Sequence, residues 1–334
     1  MSILVERPGL LTTMQDLGRS GYQHLGVSPG GVMDEVSHRI ANLLVGNRPE
    51  MASLEITLAG PTLHFDTDSL IALCGGDLSA QVEGAPVPLW RPVIVRADSR
   101  LSFGRAVTGA RCYLAVDGGY GIPAVMGSAS TNLAARFGGH QGRPLRAGDR
   151  WATPPRSRDL YPTLERRFSR ERPPCLGPDG FASGSTELDF SRPCALRMIP
   201  GPQWPRLTED SRIRFLGDTF RVDSRSNRMG IRLQGPVLTL EQPSEMISSG
   251  VATGTIQLPP DGCPILLMAD RQTTGGYPRL GELATVDVPH AAQLRPGETL
   301  RFEIISLEEA QVSYVRRETR LLALAKTLTD RKGC

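Results

Sequence analysis

The sequence predicts a mainly β protein with a few helices, and three observations carry that reading. Glycine (36) and proline (27) are spread along all 334 residues rather than confined to linkers. Between them lie short apolar runs bounded by Gly, Pro and Asp, which suit buried strands joined by tight turns. Motifs of the first half also return in the second. Leu58-Ala59-Gly60-Pro61-Thr62-Leu63 echoes in Leu233-Gln234-Gly235-Pro236-Val237-Leu238, and Gly84-Ala85-Pro86 in Gly262-Cys263-Pro264. Ser99-Arg100-Leu101-Ser102-Phe103 returns as Glu298-Thr299-Leu300-Arg301-Phe302. The echo suggests two tandem β units with roughly twenty extra residues in the second copy. Independent β turns produce similar matches.

Taken in order, Asp34 can cap a helix with Val36, Ile40, Leu43 and Leu44 on one face and Gly46 at its end. Residues 70–74, 93–95 and 112–116 read as strands. Residues 152–192 break the pattern: Pro154-Pro155, Arg166-Arg167 and Arg172-Pro173-Pro174 bring charge and proline with little apolar periodicity. They read as a linker between a first β domain over 1–151 and a second over 193–305. The second holds an expected strand at 265–268. Ser306-x-x-Glu309 is a capping box opening a helical segment over 306–334, with Val312, Val315, Leu322 and Ala325 at helical spacing. That helix is expected on the barrel surface or against a partner.

Composition excludes several classes. With 40% hydrophobic and 22% charged residues the chain is ordinary globular material. A net charge of +3 is too small to argue for nucleic acid. No apolar run approaches the ~20 residues of a membrane span, and the start lacks a secretory pattern. A cytoplasmic protein is expected. Cysteines 74, 112, 175, 194, 263 and 334 show no Cys-x-x-Cys spacing, so reduced thiols are expected and no metal site. Lysine occurs only at 326 and 332, so there is no Gly-Lys-Ser/Thr and any nucleotide is held without a P-loop. Neither a serine-hydrolase elbow nor a zinc-protease helix is expected.

The sharpest motif runs from Ala269 to Arg279. A buried strand ends at Asp270, and a polar loop with two glycines follows. Amides at Gly275 and Gly276, the hydroxyls of Thr273 and Thr274 and the Arg271 guanidinium can hold a carboxylate or phosphate. The same residues suit a hairpin in which Asp270 and Arg271 pair at a strand end. Near the N-terminus, the stretch from Thr12 to Arg19 leads into a glycine turn, Gly26 to Asp34. That turn is an anion site at a helix start, or simply a cap. Gly127-Ser128-Ala129-Ser130-Thr131, with Arg136, Gly138-Gly139 and Gly142-Arg143, combines hydroxyls, glycines and arginines as an oxyanion pocket does, and as any polar loop does.

These motifs, in this order, resemble the KipA family, also called allophanate hydrolase subunit 2 or the C component of 5-oxoprolinase. Its module also forms subdomains A and B of the carboxyltransferase part of urea carboxylase. The resemblance spans nearly the whole chain: Pro8-Gly9-Leu10-Leu11-Thr12-Thr13-Met14-Gln15-Asp16, Gly30-Gly31-Val32-Met33-Asp34, Gly75-Gly76-Asp77, Ser226-Asn227-Arg228-Met229-Gly230, Gly254-Thr255-Ile256-Gln257 and Asp270 to Tyr277. It departs at Asn227 and Thr253, where the family's Asp and Pro are expected.

The resemblance implies a cyclophilin-like β-barrel architecture and a composite site with a KipI-like B component, completed by a separate A component. It implies ATP-dependent opening of 5-oxo-L-proline to L-glutamate, with little activity in this chain alone. On that basis Asp270 and Arg271 are the catalytic candidates. Arg19, Asp34, Asp77, Ser128, Ser130, Thr131, Arg143, Asn227, Arg228, Thr273, Thr274 and Tyr277 are candidates for holding substrate or nucleotide. Two alternatives stay open. One is carboxyl transfer to a urea-like amide from carboxybiotin on another protein, since this chain has no Met-Lys acceptor. The other is a regulatory binding protein.

Overall fold

Strands in the first part of the chain follow its aliphatic runs. They are β1 (Ser2–Arg7), β2 (Leu11–Gln15), β3 (Ser53–Thr57), β4 (Thr62–Phe65), β5 (Ser69–Asp77), β6 (Gln81–Val82), β7 (Ala85–Pro86), β8 (Pro92–Val95), β9 (Ser99–Ser102), β10 (Thr108–Val116), β11 (Arg150–Ala152) and β12 (Cys175–Leu176). This computed structural model describes residues 2–152, 175–176, 194–242 and 246–330. Contacts divide it into two units, Met1–Arg19, Asp34–Leu188 and Arg320–Cys334 in one, Ser20–Met33 and Asp189–Thr319 in the other.

The first unit has two six-stranded sheets, ordered β11-β1-β4-β9-β6-β7 and β12-β8-β5-β10-β3-β2. Their facing side chains, among them Val5, Leu63 and Phe65 from one sheet and Ile56, Leu73 and Leu114 from the other, form one apolar core. The central pair β5 and β10 sets Tyr113 opposite Cys74 and Leu114 opposite Leu73. Helix Glu35–Leu44 packs on this same pair. Both faces of the two strands are therefore covered, and both read as unbroken apolar runs. The strands expected at 70–74, 93–95 and 112–116 lie within β5, β8 and β10. Asp34 caps the helix: its Oδ1 accepts from the Ser37 amide at 3.0 Å and its Oδ2 from the Ser37 hydroxyl at 2.6 Å. Of the expected linker, Ala152 closes β11 and Cys175–Leu176 pairs with β8; the rest lies outside the described residues.

The second unit contributes β13 (Cys194–Pro200), β14 (Phe220–Val222), β15 (Gly230–Gln234), β16 (Ser249–Gly250), β17 (Thr255–Gln257), β18 (Ile265–Leu267), β19 (Thr274–Gly275), β20 (Arg279–Leu283) and β21 (Thr299–Ile304). Seven of them close a barrel, β13-β20-β17-β18-β15-β14-β21, sealed by the parallel pair β13–β21. Closure removes sheet edges. Phe215 and Phe302 stack inside it with ring centroids 4.6 Å apart, and Met33 joins the same core. Strands β16 and β19 form a separate ribbon. The echo between halves stops short of pairing: β9 is antiparallel to β4 and β6, whereas β21 is parallel to β13 and antiparallel to β14.

Two helices, Glu209–Gly217 and Val288–Gln293, have no counterpart in the sequence expectations. The first buries only Ser211 and Phe215, too thin a stripe to register as periodicity, although Thr208 caps it. The last helix, Leu307–Asp330, begins with the expected capping box, Ser306 donating to Glu309 and Glu309 to Ser306. Its buried stripe is Ala310, Arg317 and Leu321, while Val312, Val315 and Leu322 are exposed. No helix among the described residues is long and apolar enough to cross a membrane.

Candidate functional site

In the barrel unit the loop after β18 covers part of the outer wall made by β17 and β20. Ile256 belongs to the apolar core, and a Cβ on Gly281 would strike Met198. Thr255 and Glu282, paired across these strands, therefore face away from the core. Thr255 Oγ1 donates to both Glu282 oxygens, at 3.0 and 2.8 Å. Arg271 turns into the same layer. Its Nε donates to the Val251 carbonyl at 3.2 Å and one Nη to the Thr253 hydroxyl at 2.7 Å. Burial pushes the Glu282 carboxyl above its ordinary range and the Arg271 guanidinium below its own, while each charge favours the other. Gln257 accepts from Gln272 at 3.3 Å, and its own buried Nε2 has no hydrogen-bond partner among the described residues.

Asp270 has a different partner from the one its sequence neighbour suggests. Its carboxylate takes Nε and Nη2 of Arg228 at 2.8 and 3.0 Å, and the same Nη2 donates to the Gly31 carbonyl. The pair fastens the glycine turn to the root of the loop. Ser28 Oγ adds a bond to the Ala269 carbonyl at 3.3 Å. Gly26-Val27-Ser28-Pro29-Gly30 matches Gly-x-Ser-x-Gly letter for letter, a match the sequence expectations overlook. The serine follows a 3-10 turn rather than a strand, so it forms no nucleophile elbow. Thr273 offers its carbonyl to the Val251 amide, Thr274 pairs with Gly250, and Tyr277 is exposed. Asn227 Oδ1 closes a turn on the Met229 amide at 2.8 Å.

In the first unit, Arg19, Ser128, Ser130 and Thr131 do come together, around Asp16. The Asp16 carboxylate accepts from both serine hydroxyls, at 2.6 and 2.5 Å, and from the amides of Gly18 and Ala129 at 2.8 and 2.6 Å. Arg19 donates to the Ser130 carbonyl and lies over the Phe137 ring. Thr131 Oγ1 donates to the Met14 carbonyl at 3.0 Å. These side chains are buried and serve one another. Gly138 has φ +69° and a Cβ there would stand 2.3 Å from the Ser130 carbonyl oxygen, the same oxygen that Arg19 bonds, which explains that glycine.

Three further candidates of this unit have local duties. Arg143 grips Asp149 through two 2.7 Å bonds and holds the Asp149 carboxyl down to about 2. Asp77 Oδ1 accepts from the Ser79 amide at the end of β5. Asp34, besides its cap, offers its amide to the Tyr113 hydroxyl at 2.8 Å, and that hydroxyl donates to Glu55 at 2.9 Å. Beside this network, His38 Nδ1 lies 2.7 Å from Ser53 Oγ, and burial lowers the imidazole to about 4.

The sequence reading missed Asp16 and Glu282 as side chains of interest. Asp16 lies inside a quoted motif. The only local mark of Glu282 is an acid between leucines in Leu280-Gly281-Glu282-Leu283. Among the described residues no group of three His, Cys, Asp or Glu is arranged to hold a metal ion.

Residues 25–304 match the family model described as carboxyltransferase domain, subdomain A and B. The chain is 39% identical over 304 residues to the C component of 5-oxoprolinase from Escherichia coli (strain K12), with 91% of each protein covered. It is 34% identical over 322 residues to the protein of the same name from Haemophilus influenzae, with 96% of each covered. Among solved structures, the K. lactis urea amidolyase matches with a TM-score of 0.85 at 29% identity, over 97% of this chain and 20% of that one.

Proposed function

The chain belongs to the carboxyltransferase subdomain A and B family, and from that membership we propose that it is the C component of an ATP-dependent 5-oxoprolinase complex. The carrying observation is the 39% identity to a protein of that name across nine-tenths of both chains. In this reading the complex opens 5-oxo-L-proline to L-glutamate in the cytoplasm, with a KipI-like B component and an A component as partners and ATP as co-substrate.

The lactam amide is a poor electrophile. Phosphoryl transfer to its oxygen makes ring opening by water feasible, and the negative charge that gathers needs fixed donors. The groups this chain offers for holding an anionic substrate and handling a proton lie under the 270–277 loop. The Arg271 guanidinium supplies positive charge where water is scarce. The Glu282 carboxyl, held above its ordinary range, can keep or release a proton beside it. Asp270 acts through position, holding the loop by way of Arg228.

Co-expression with a KipI-like B component and an A component tests this reading. Co-purification and ATP-dependent glutamate release are expected in the mixture, with little in the chain alone. An assembled complex that releases no glutamate from 5-oxo-L-proline would refute it. The urea amidolyase likeness supports a second reading, carboxyl transfer to an amide, with biotin brought by another protein.

A further inference from the structure

Among the described residues three buried arginines have a carboxylate beside them: Arg228 lies 2.8 Å from Asp270, Arg317 3.1 Å from Glu318 and Arg111 3.9 Å from Glu55. Arg271 is equally buried, at 4% exposure. Yet among the described residues it bonds only neutral oxygens, the Val251 carbonyl and the Thr253 hydroxyl, through Nε and one Nη. The other Nη has no hydrogen-bond partner among them. The Glu282 carboxyl favours its charge without bonding it directly, and a buried cation whose direct partners are all neutral is costly to keep and is a candidate for a ligand of opposite charge.

A second observation is independent of the first. Gln257 is 1% exposed, and its Nε2 is an unsatisfied donor among the described residues. It abuts Gly275, where a Cβ would stand only 2.4 Å away, so it reaches the loop that carries Arg271. The cover here is light: ribbon β16–β19 has two residues in each strand. A ribbon so short opens at little cost.

We propose that Arg271 and Gln257 anchor the carboxylate of a small amide or lactam acid beneath the 270–277 loop. Arg271 supplies a two-point contact suited to a planar carboxylate, and the Gln257 amide supplies the next donor. For the identity of the ligand, 5-oxo-L-proline, this rests on the 5-oxoprolinase reading; the chemistry of the anchor does not.

The test is calorimetric titration of the full-length chain, alone and with its partner proteins. The probes are 5-oxo-L-proline, 2-pyrrolidinone (the same lactam without the carboxylate) and inorganic phosphate. The acid is expected to bind and the neutral lactam not. Arg271→Gln should weaken binding roughly 10- to 100-fold, and Arg271→Lys about tenfold, because a lysine lacks the planar fork. Glu282→Gln removes a negative charge facing Arg271 and Arg279 and should tighten binding, an effect that a purely structural Arg271 does not predict. Three results overturn the proposal: no binding of the acid, equal binding of the two lactams, or wild-type affinity in folded Arg271→Gln. Preference for phosphate also overturns it and assigns the site to the nucleotide. Should both Arg271 variants fail to fold, unchanged affinity in Glu282→Gln is decisive against it. Glutamate release by the wild-type complex reports on the 5-oxoprolinase reading separately. A complex that makes no glutamate but binds the acid through Arg271 keeps the anchor and loses the reading, and the converse result does the opposite.

Discussion

Asp270 and Arg271 adjoin in sequence but belong to different arrangements. Asp270 neutralises Arg228, which is buried, so Asp270→Ala strands a cation in the interior. A loss of roughly 3 kcal/mol is expected in denaturant melts, with a smaller loss for Asp270→Asn; unchanged stability would remove the anchoring role. His38 offers a second test. Its folded pKa is about 4 against 6.5 for the free side chain, so between those values the unfolded chain binds more protons. Stability is therefore intact above 6.5 and lost as pH falls toward 4. About 2 kcal/mol should disappear between pH 7 and pH 5, and His38→Gln should flatten that slope. Little of this was legible locally. Polar residues ahead of two glycines mark the 270–277 loop as a candidate, but the partner of Asp270 stands 42 positions away. The hydroxyls of Ser128 and Ser130 look like free donors until the fold brings Asp16 to them.

Elements were more legible than pairings, because burial leaves its mark on composition. Strands β5, β8 and β10 are covered enough to read as unbroken apolar runs, and the helix after Asp34 announces itself by its cap and by Gly46. The final helix shows where periodicity misleads. Val312, Val315 and Leu322 form the more apolar stripe, yet the buried one runs through Ala310, Arg317 and Leu321. Arg317 keeps its guanidinium satisfied there by donating to the Thr285 carbonyl and to Glu318. Asp34, a candidate binding residue, is at this scale a helix cap. Asp34→Ala should cost about 1–2 kcal/mol, and Asp34→Asn much less because it keeps an acceptor for the Ser37 amide. If thermal melts show the two variants equally destabilised, the carboxylate charge rather than the cap is what the site requires.

At the scale of the whole molecule, the same polypeptide length serves as most of a 5-oxoprolinase C component and as one-fifth of a urea amidolyase. The fold is shared with the urea amidolyase at a TM-score of 0.85 and the sequence more closely with the 5-oxoprolinase component, so the fold alone does not choose between lactam opening and carboxyl transfer. The lysines narrow the choice. Lys326 follows Ala325 and Lys332 follows Arg331, so neither sits in a Met-Lys biotin acceptor, and carboxyl transfer would draw its carboxyl group from a biotin carried elsewhere. Glutamate release by the assembled complex should then be indifferent to avidin and to removal of bicarbonate, while depending on ATP. Avidin sensitivity together with a bicarbonate requirement would reverse the assignment in favour of the carboxyltransferase reading. The proposed anchor at Arg271 remains testable under either outcome, because a carboxylated biotin and 5-oxo-L-proline both carry an anion. Only the ligand that competes with 5-oxo-L-proline would change.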